Sequence, residues 1–380
     1  MGLNARQRYI ATLTFQKPDR IPFDPGYGRQ STLAAWRTQG LPPDVDDYHA
    51  YVRELIGLDL TPYAPVQPRV DPQIITTMIP EYEQCIIEER PRSRVVQDWK
   101  GNICEIARQY DPSYLRGAPD FVTRSWIRCP VTGPDDWPDM ARRYDAEDPS
   151  RFPDDFPQRA RTLAQRDYVS GILFSGPFWQ MREWVGFEGL CMLFLDDPDF
   201  VRQMAEFWCD FIARMLIKTF DHHVPDFVMA NEDMAYKEKS MISPQMAREF
   251  LLPSWRRWAD LCHDAGVPIV GVDSDGYVAE LIPVWIEAGF NWTTPIEVAA
   301  GNDLGAFRRE FATQIAYSGG FDKRSIVDGG SRMRAEMDRL KPIIDAGGYL
   351  PGCDHGVPAD VRWPHFVEYC RLMAQATGWL

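Results

Sequence analysis

From residue 155 onward the chain repeats one unit, in which an apolar run is followed by a loop of polar, glycine or proline residues and then by an amphipathic helix. Strands that alternate with helices pair in parallel, because each helix returns the chain to the edge where the previous strand began. The apolar runs are 169–174, 227–230, 269–272, 290–293, 314–318 and 348–350. The alternation therefore predicts an α/β fold built on a parallel sheet.

Two further segments raise the expected number of strands. One lies at 21–23 and another is expected before residue 90, which gives the eight strands of a closed (β/α)8 barrel, or TIM barrel. No G-x-G-x-x-G follows any strand, so a dinucleotide-binding sheet has no support. Residues 4–16 have helical spacing and precede the first strand. Because α/β barrels of this length form one domain, we expect residues 1–380 to be a single barrel with an N-terminal helix.

The segment 84–153 interrupts the alternation. Three short runs in it have strand character, and Gly101-Asn102 makes a hairpin turn between the last two. The candidate strands are 85–88, 93–98 and 103–107. Residues 111–153 contain many prolines, which indicates loops. We expect 84–153 to be a β-rich insertion or cap within the barrel domain.

The composition limits the classes of function. The formal net charge is -14, whereas a protein that binds nucleic acid needs a basic face. No apolar run reaches about 18 residues, the length that crosses a membrane, and the N-terminus lacks the apolar core of a signal peptide. The eight cysteines include no C-x-x-C pair and are expected to be free thiols. These features predict a cytoplasmic protein that binds a small molecule rather than nucleic acid or a membrane.

Ionisable and aromatic residues follow nearly every predicted strand. In a β/α barrel the loops after the strands line one active site, and charges that converge in a cleft cost desolvation energy unless they are paired or used. The residues we expect in this pocket are Tyr27, Arg29, Trp179, Arg182, Glu232, Asp233, Asp273, Asp275, Glu297, Asp322, Cys353 and His355. The pattern predicts a polar, functional pocket.

Several of these residues suit particular chemistry. His355 is the one histidine on a strand-end loop, and its ordinary pKa suits proton transfer. Trp179 and Arg182 could bind a planar acidic substrate by stacking and ion pairing, or they could be core and rim. Cys353 could be a metal thiolate, a nucleophile or an inert buried thiol.

The carboxylates also have structural alternatives. Asp273 and Asp275 lie two residues apart, so in an extended segment both side chains would face a cation or a substrate amine or hydroxyl. The same residues could instead cap a helix that begins near Tyr277. Glu232 and Asp233 could likewise cap a helix or pair with a nearby lysine. Asp322 could neutralise the neighbouring Lys323 and Arg324 in a surface turn.

The motifs along the whole chain resemble those of the uroporphyrinogen decarboxylase superfamily. They are Asn4-Ala5-Arg6-Gln7-Arg8, Lys17-Pro18-Asp19-Arg20-Ile21-Pro22, Ser175-Gly176-Pro177-Phe178, Met241-Ile242-Ser243-Pro244, Phe250-Leu251-Leu252-Pro253, Thr294-Pro295-Ile296-Glu297, Gly319-Gly320-Phe321-Asp322-Lys323 and Cys353-Asp354-His355-Gly356-Val357-Pro358. The resemblance implies a (β/α)8 barrel, often assembled as a homodimer. It implies one of two activities, cofactor-free decarboxylation of porphyrinogens or methyl transfer involving a corrinoid protein or a thiol.

The decarboxylase branch fits this chain in part. Its members carry Arg-Gln-Ala-Gly-Arg after the first strand, but here Arg29-Gln30 is followed by Ser31-Thr32, so the second arginine is absent. His355 matches the His-Gly of their last strand. On this branch Glu232 or Asp275 would hold the pyrroles and His355 would donate protons. We keep such a lyase as the alternative function.

The methyltransferase branch binds zinc through His-x-Cys on one strand and a cysteine on the last, positions that correspond here to Asp273, Asp275 and Cys353. Two carboxylates make this a harder site that activates a thiol less readily. A methyl ether fits better, because an acid or a metal would meet the charge on the departing oxygen. We therefore expect transfer of a methyl group from a small, O-methylated compound to a corrinoid protein, with Glu232, Asp275 and His355 in catalytic roles. A binding protein without catalysis on the same barrel is a second alternative.

Overall fold

The computed structural model describes residues 2–58, 72–117, 120 and 123–380. Six strands form one parallel sheet in the spatial order β10-β9-β8-β7-β6-β5, so each strand lies beside its sequence neighbour. They are β5 (Gly171–Ser175), β6 (Phe227–Asn231), β7 (Ile269–Asp273), β8 (Trp292–Thr294), β9 (Ala316–Phe321) and β10 (Tyr349–Cys353). The predicted α/β fold with a parallel sheet is confirmed, and each strand overlaps an apolar run of the sequence.

Helices precede the sheet and connect its strands. They are α1 (Ala5–Leu13), α2 (Gln30–Arg37), α3 (Tyr48–Leu55), α4 (Pro112–Gly117), α5 (Trp137–Ala141), α6 (Phe156–Leu163), α7 (Pro177–Val185), α8 (Phe187–Asp196), α9 (Pro198–Phe220), α10 (Pro244–Phe250), α11 (Leu252–Asp264), α12 (Ile282–Glu287), α13 (Leu304–Phe311), α14 (Lys323–Asp328), α15 (Gly330–Asp345) and α16 (Trp363–Ala376). The expected N-terminal helix is α1, and Asn4 caps it through a reciprocal capping box with Gln7. Within the described ranges, no helix has the length and apolarity needed to span a bilayer.

The first predicted strand joins the sheet by a single bridge. Asp24 pairs in parallel with Gly352, next to β10, and the Asp24 amide donates to the Pro351 carbonyl at 2.9 Å. A side chain at Gly352 would collide with the Asp24 carbonyl oxygen, so glycine permits this close approach. Among the described residues, the parallel sheet thus has six strands, extended by the Asp24–Gly352 bridge, rather than the eight strands of a closed barrel. The range predicted to hold the eighth strand includes 59–71, which lies outside the described residues.

A second, antiparallel sheet lies within 84–153. Its strands, in spatial order, are β1 (Cys85–Glu89), β2 (Ser93–Gln97), β3 (Ile103–Ala107) and β4 (Arg124–Arg128). The first three match the predicted strands, and β4 was not predicted. Val96, Cys104 and Ile106 are buried and form a small cluster with Leu115 of α4. The placement of this sheet as a cap stays a prediction.

Alternation along the parallel strands divides their side chains between two faces. One face packs against the helices. The other, which we call the inner face, carries Phe227, Ile269 and Trp292 near the beginnings of the strands, in one apolar cluster with Tyr9 of α1. The ring of Tyr9 lies 6.0 Å from that of Phe227 and 6.4 Å from that of Trp292. Helix α1 therefore covers the inner face at the N-terminal ends of the strands.

The inner face changes from apolar to polar toward the C-terminal ends of the strands. Asn231, Asp273 and Thr294 are register neighbours across β6, β7 and β8, and Ser318 on β9 lies on the same face, two residues after an inner-face alanine. The layer below includes Trp292, and a Cβ atom at Gly271 would lie 2.5 Å from its ring. Because one face bears an apolar layer and then a polar one, the polar side chains gather at the edge where a barrel-type active site forms.

Candidate functional site

A cavity of about 380 Å³ lies at the C-terminal ends of the parallel strands. Its floor is apolar and aromatic, its middle layer is polar, and its upper part is charged. The lining residues are Tyr9, Asp24, Gly26, Tyr27, Arg29, Trp179, Asn231, Asp233, Asp273, Asp275, Trp292, Thr294, Pro295, Ser318, Gly319, Leu350, Gly352, Cys353, His355 and Gly356. The structure thus brings Tyr27, Arg29, Trp179, Asp233, Asp273, Asp275, Cys353 and His355, from the predicted set, to one cavity.

An acid–base pair lies at this cavity. The Nε2 atom of His355 lies 3.3 Å from Oδ2 of Asp275, and the side chains are 24% and 40% exposed. The interaction with the Asp275 carboxylate raises the pKa of His355 above its ordinary value, whereas burial opposes the shift. The imidazole therefore holds a proton more tightly than a free histidine does, while remaining accessible from the cavity.

Glu297 completes a cluster with this pair. Ligand atoms of Asp275, Glu297 and His355 all lie within 4.8 Å of one another. One Glu297 oxygen accepts a hydrogen bond from the Gly276 amide at 2.9 Å, and the other lies 3.5 Å from Nζ of Lys323. Two carboxylates thus face one imidazole and one ammonium, so charges of opposite sign balance within the cluster when His355 is protonated.

The structure groups metal-ligating side chains differently from the sequence prediction. Asp275 meets Glu297 and His355, not Asp273 and Cys353. Cys353 ends β10 and is 7% exposed, and burial raises the pKa of its thiol, which disfavours the thiolate that zinc binds. Two carboxylates and an imidazole suit a divalent cation. The observed trio therefore fits a metal, although it is a harder site than one that contains a thiolate.

Glu232 lies behind the cavity and is not among its lining residues. Its carboxylate is fully buried and accepts from the Phe178 and Trp179 amides at 3.0 and 3.2 Å, and from the Trp255 indole. Burial raises the pKa of Glu232 to about 8, against the effect of these donors. Glycine at position 176 leaves room for the carboxylate. Glu232, which follows β6, thus caps the N-terminus of α7, the helix that follows the neighbouring strand β5. Its catalytic role stays a prediction.

Arg182 is engaged within the protein. Its guanidinium donates to the Asp233 carboxylate at 3.0 Å and to the Asp233 carbonyl at 2.9 Å, and it lies 4.5 Å from the centre of the Trp179 ring. Burial raises the pKa of Asp233, and Arg182 opposes this shift. Trp179 and Asp233 line the cavity, but Arg182 stands behind them. Arg182 thus forms an internal ion pair with Asp233, and its pairing with an acidic substrate stays a prediction.

Two structural alternatives raised by the sequence have clear outcomes. Asp322 pairs with Arg324 at 2.8 Å and caps α14, away from the cavity, so the turn neutralises itself. The Asp273–Asp275 segment caps no helix, because α12 begins only at Ile282 and its N-terminus has no side-chain cap.

The predicted set of pocket residues leaves out four polar residues that line the cavity at the strand ends, Asp24, Asn231, Thr294 and Ser318. Three of them are uncharged, and a search for ionisable groups passes over them. Their common signal is alternation within the strands, since each lies on the inner face one layer above the apolar cluster. Asp354 was also missed, and it connects two loops by accepting from the Val298 and Lys323 amides at 3.1 and 3.2 Å.

Comparisons with known proteins bear on the fold. No protein-family profile matches the chain, and comparison with curated protein sequences gives no match. Among solved structures, the chain is similar to a methyltransferase from Methanosarcina mazei, with a TM-score of 0.54, 12% identity, and coverage of 99% of this chain and 98% of that chain. It is less similar to a B12-independent methionine synthase from Shewanella sp. W3-18-1, with a TM-score of 0.44, 10% identity, and coverage of 95% and 97%. The chain thus shares its α/β fold, over its whole length, with a methyltransferase.

Proposed function

We propose that this protein is a methyltransferase that moves a methyl group from a small O-methylated compound to a corrinoid protein. The observation that carries the proposal is the His355–Asp275 pair at the cavity, with Nε2 and Oδ2 3.3 Å apart. The cavity of about 380 Å³ suits a small substrate, since ligand pockets span roughly 300–1,000 Å³. The shared fold with a methyltransferase is consistent with this activity.

When a methyl ether breaks, negative charge develops on the departing oxygen. A proton or a cation must neutralise that charge. The C–O bond breaks, the methyl carbon accepts an electron pair from the acceptor, and the oxygen leaves with the bonding pair. Protonated His355 carries a proton on each ring nitrogen. The Nε2 proton stays paired with Asp275, which stabilises the imidazolium, and the Nδ1 proton goes to the departing oxygen. The products are an alcohol or phenol, the methylated acceptor and a neutral imidazole, which regains a proton from water.

A divalent metal is an alternative source of the same assistance. Asp275, Glu297 and His355 would hold it, and it would act as a Lewis acid toward the ether oxygen. In the arrangement described, His355 pairs with Asp275 and Lys323 lies near Glu297, so a metal would have to displace both contacts. We propose the acid–base form on that ground.

The decarboxylase alternative has weaker support. A porphyrinogen contains four pyrroles and several carboxylates, whereas this cavity is about 380 Å³ and is lined by four aspartates. Like charges on the site and on a polycarboxylate would repel each other.

The test incubates the protein with reduced cobalamin, in place of a corrinoid protein, and a panel of small methyl ethers. Methylation of cobalamin is followed by absorbance, with and without zinc. We expect turnover that falls by about 100-fold in His355→Ala, the effect typical of losing a general acid. Asp199→Asn, in which an exposed carboxylate on α9 is removed, serves as the control. Absence of methylated cobalamin across the panel would refute the proposal, and turnover of uroporphyrinogen would favour the lyase.

A further inference from the structure

We propose that the substrate is a small organic cation, with an aromatic or apolar body and a protonated amine. This inference deepens the proposed function and rests on it for the identity of the cavity as a substrate site. It makes a statement about binding, however, that is measurable without any methyl transfer.

The charges of the lining residues carry the first step. Among the described residues that line the cavity, four are aspartates, Asp24, Asp233, Asp273 and Asp275, while Arg29 and His355 are the basic residues. His355 is paired with Asp275, and Arg182 behind the wall is paired with Asp233. The other two aspartates carry one more charge than Arg29, and this excess gives the cavity a negative potential, which attracts cations and repels anions.

The position of Arg182, the other arginine that the sequence predicts for this pocket, strengthens this conclusion. Arg182 lies behind the cavity wall, where Asp233 and the Trp179 ring hold its guanidinium. To bind a substrate carboxylate, Arg182 would have to leave both partners. An acidic substrate would therefore face the aspartates with less help from arginine than the residue types alone suggest.

A hydrogen-bond acceptor points to the same class of ligand. Asn231 lines the cavity, and its Oδ1 atom is buried without a hydrogen-bond partner among the described residues. A buried acceptor without a donor costs about 1–3 kcal/mol. An ammonium N–H would satisfy this oxygen, whereas a carboxylate would be met by the NH₂ group of the same side chain and would leave the oxygen unpaired. Asn231 is the register neighbour of Asp273, so the two acceptors lie side by side on the inner face.

The aromatic residues accommodate the rest of the ligand. Trp292 and Tyr9 form the floor, and the Trp179 and Tyr27 rings line the wall. The Trp292 indole already donates to the Ser318 hydroxyl at 2.7 Å, so it presents an apolar ring to the cavity. A ring-sized body would pack on this floor, while aromatic faces also favour a nearby cation. The arrangement fits a ligand that has one apolar end and one positively charged end.

The experiment uses three ligands with the same aryl methyl ether and different charges. They are para-methoxyphenethylamine, the matching neutral alcohol and the matching phenylpropanoate. Affinities are measured by calorimetry at low ionic strength, where charge interactions are least screened. We expect the amine to bind about tenfold more tightly than the alcohol, a difference of about 1.4 kcal/mol, and the carboxylate to bind most weakly. Equal affinities, or preference for the carboxylate, would overturn the inference.

Variants identify the groups that select the charge. Asp24→Asn and Asp273→Asn should each weaken amine binding by about tenfold, the effect of losing one charge-assisted hydrogen bond, and should leave the alcohol nearly unchanged. Asp199→Asn removes the same charge from a side chain that is 92% exposed and should change neither affinity. Loss of affinity for the alcohol in the cavity variants, equal to that for the amine, would indicate altered shape and contradict the role of charge.

The two proposals can fail separately. Preference for the amine without methylation of cobalamin would support the substrate class and count against the methyltransferase. Methylation of cobalamin from the alcohol or the carboxylate alone would support the methyltransferase and overturn the cationic substrate.

Discussion

Nε2 of His355 and Oδ2 of Asp275 lie 3.3 Å apart, although 80 positions separate the two residues along the chain. The pair joins the loop after β10 to the loop after β7, across the C-terminal edge of the sheet. Neither residue belongs to a strand, so their meeting depends on both loops folding back toward the cavity. Measurements on this pair therefore test whether both loops have the conformation described.

Asp275→Asn should lower the pKa of His355 toward or below its ordinary value. The Asp275 carboxylate is the main cause of the raised pKa, burial and Lys323 lower the pKa, and Glu297 raises it by a smaller amount. Titration of the His355 ring by NMR measures this change, with the other five histidines as internal controls. If His355 is the acid, the rate also falls as pH rises through its pKa, and in the variant this fall begins at lower pH. An unchanged His355 titration would contradict the pairing.

Zinc should stabilise the protein more at about pH 8 than at about pH 6, because a metal and a proton compete for His355. Thermal melts with and without zinc measure the effect, since a ligand that binds the folded state raises the melting temperature. Lys323→Met should make the rise in melting temperature with zinc larger, because it removes the ammonium 3.5 Å from Glu297. Glu297→Gln should reduce it.

Cys353→Ser distinguishes the trio in the structure from the ligand set expected from sequence. The variant should retain the zinc effect, because Cys353 lies outside the group of Asp275, Glu297 and His355. Loss of the effect in Cys353→Ser, with retention in Glu297→Gln, would restore the thiol as a ligand.

Above its pKa of about 8, where Glu232 is ionised, Glu232→Gln should lower the free energy of unfolding by about 1–3 kcal/mol, the cost of leaving a buried polar group unpaired. The Glu232 oxygens accept from three donors on two sides, and a glutamine would turn its NH₂ group toward donors on one side. Urea denaturation measures the loss. Glu206→Gln, at an exposed position of α9, should stay within about 0.5 kcal/mol of the native protein. A stable but inactive Glu232→Gln would instead favour the catalytic role predicted from sequence.

Gly271→Ala should destabilise the protein by about 1–3 kcal/mol through overpacking. The new Cβ would lie 2.5 Å from the Trp292 ring, whereas at Gly133 a Cβ would meet nothing within 4 Å. Gly133→Ala is thus the matched control in the same denaturation series. Movement of Trp292 toward the cavity should also weaken ligand binding in the Gly271 variant. Equal stability of the two variants would mean that the aromatic floor adapts at little cost.

The parallel sheet was predictable because each strand leaves a strong local signal. A run such as 227–230 is wholly apolar and is buried in the structure as β6. The strand β4 left no such signal, since Arg124–Arg128 begins and ends with arginine and is mostly exposed. Local patterning thus identifies a strand that is buried on both faces and misses one at an exposed edge.

The candidate site was predictable as a place but only partly as a set of contacts. The rule that strand ends converge brought Asp275, Glu297 and His355 into consideration without distances. Which of the acidic residues reaches His355 depends on loop conformation, a long-range property that spacing does not encode. The same limit explains Arg182 and Glu232, whose partners Asp233 and Trp255 are fixed by tertiary packing rather than by neighbours in sequence.

The side chain of Tyr9 both covers the beginnings of the strands and lines the cavity. Because it packs against Phe227 and Trp292, it blocks that end of the chamber among the described residues, and reactants are expected to enter from the side of the loops. A bulky acceptor seated at that entrance would trap whatever lies beneath it. The reactants would then bind in a fixed order, with the small molecule entering first. Its demethylated product would leave only after the acceptor had dissociated.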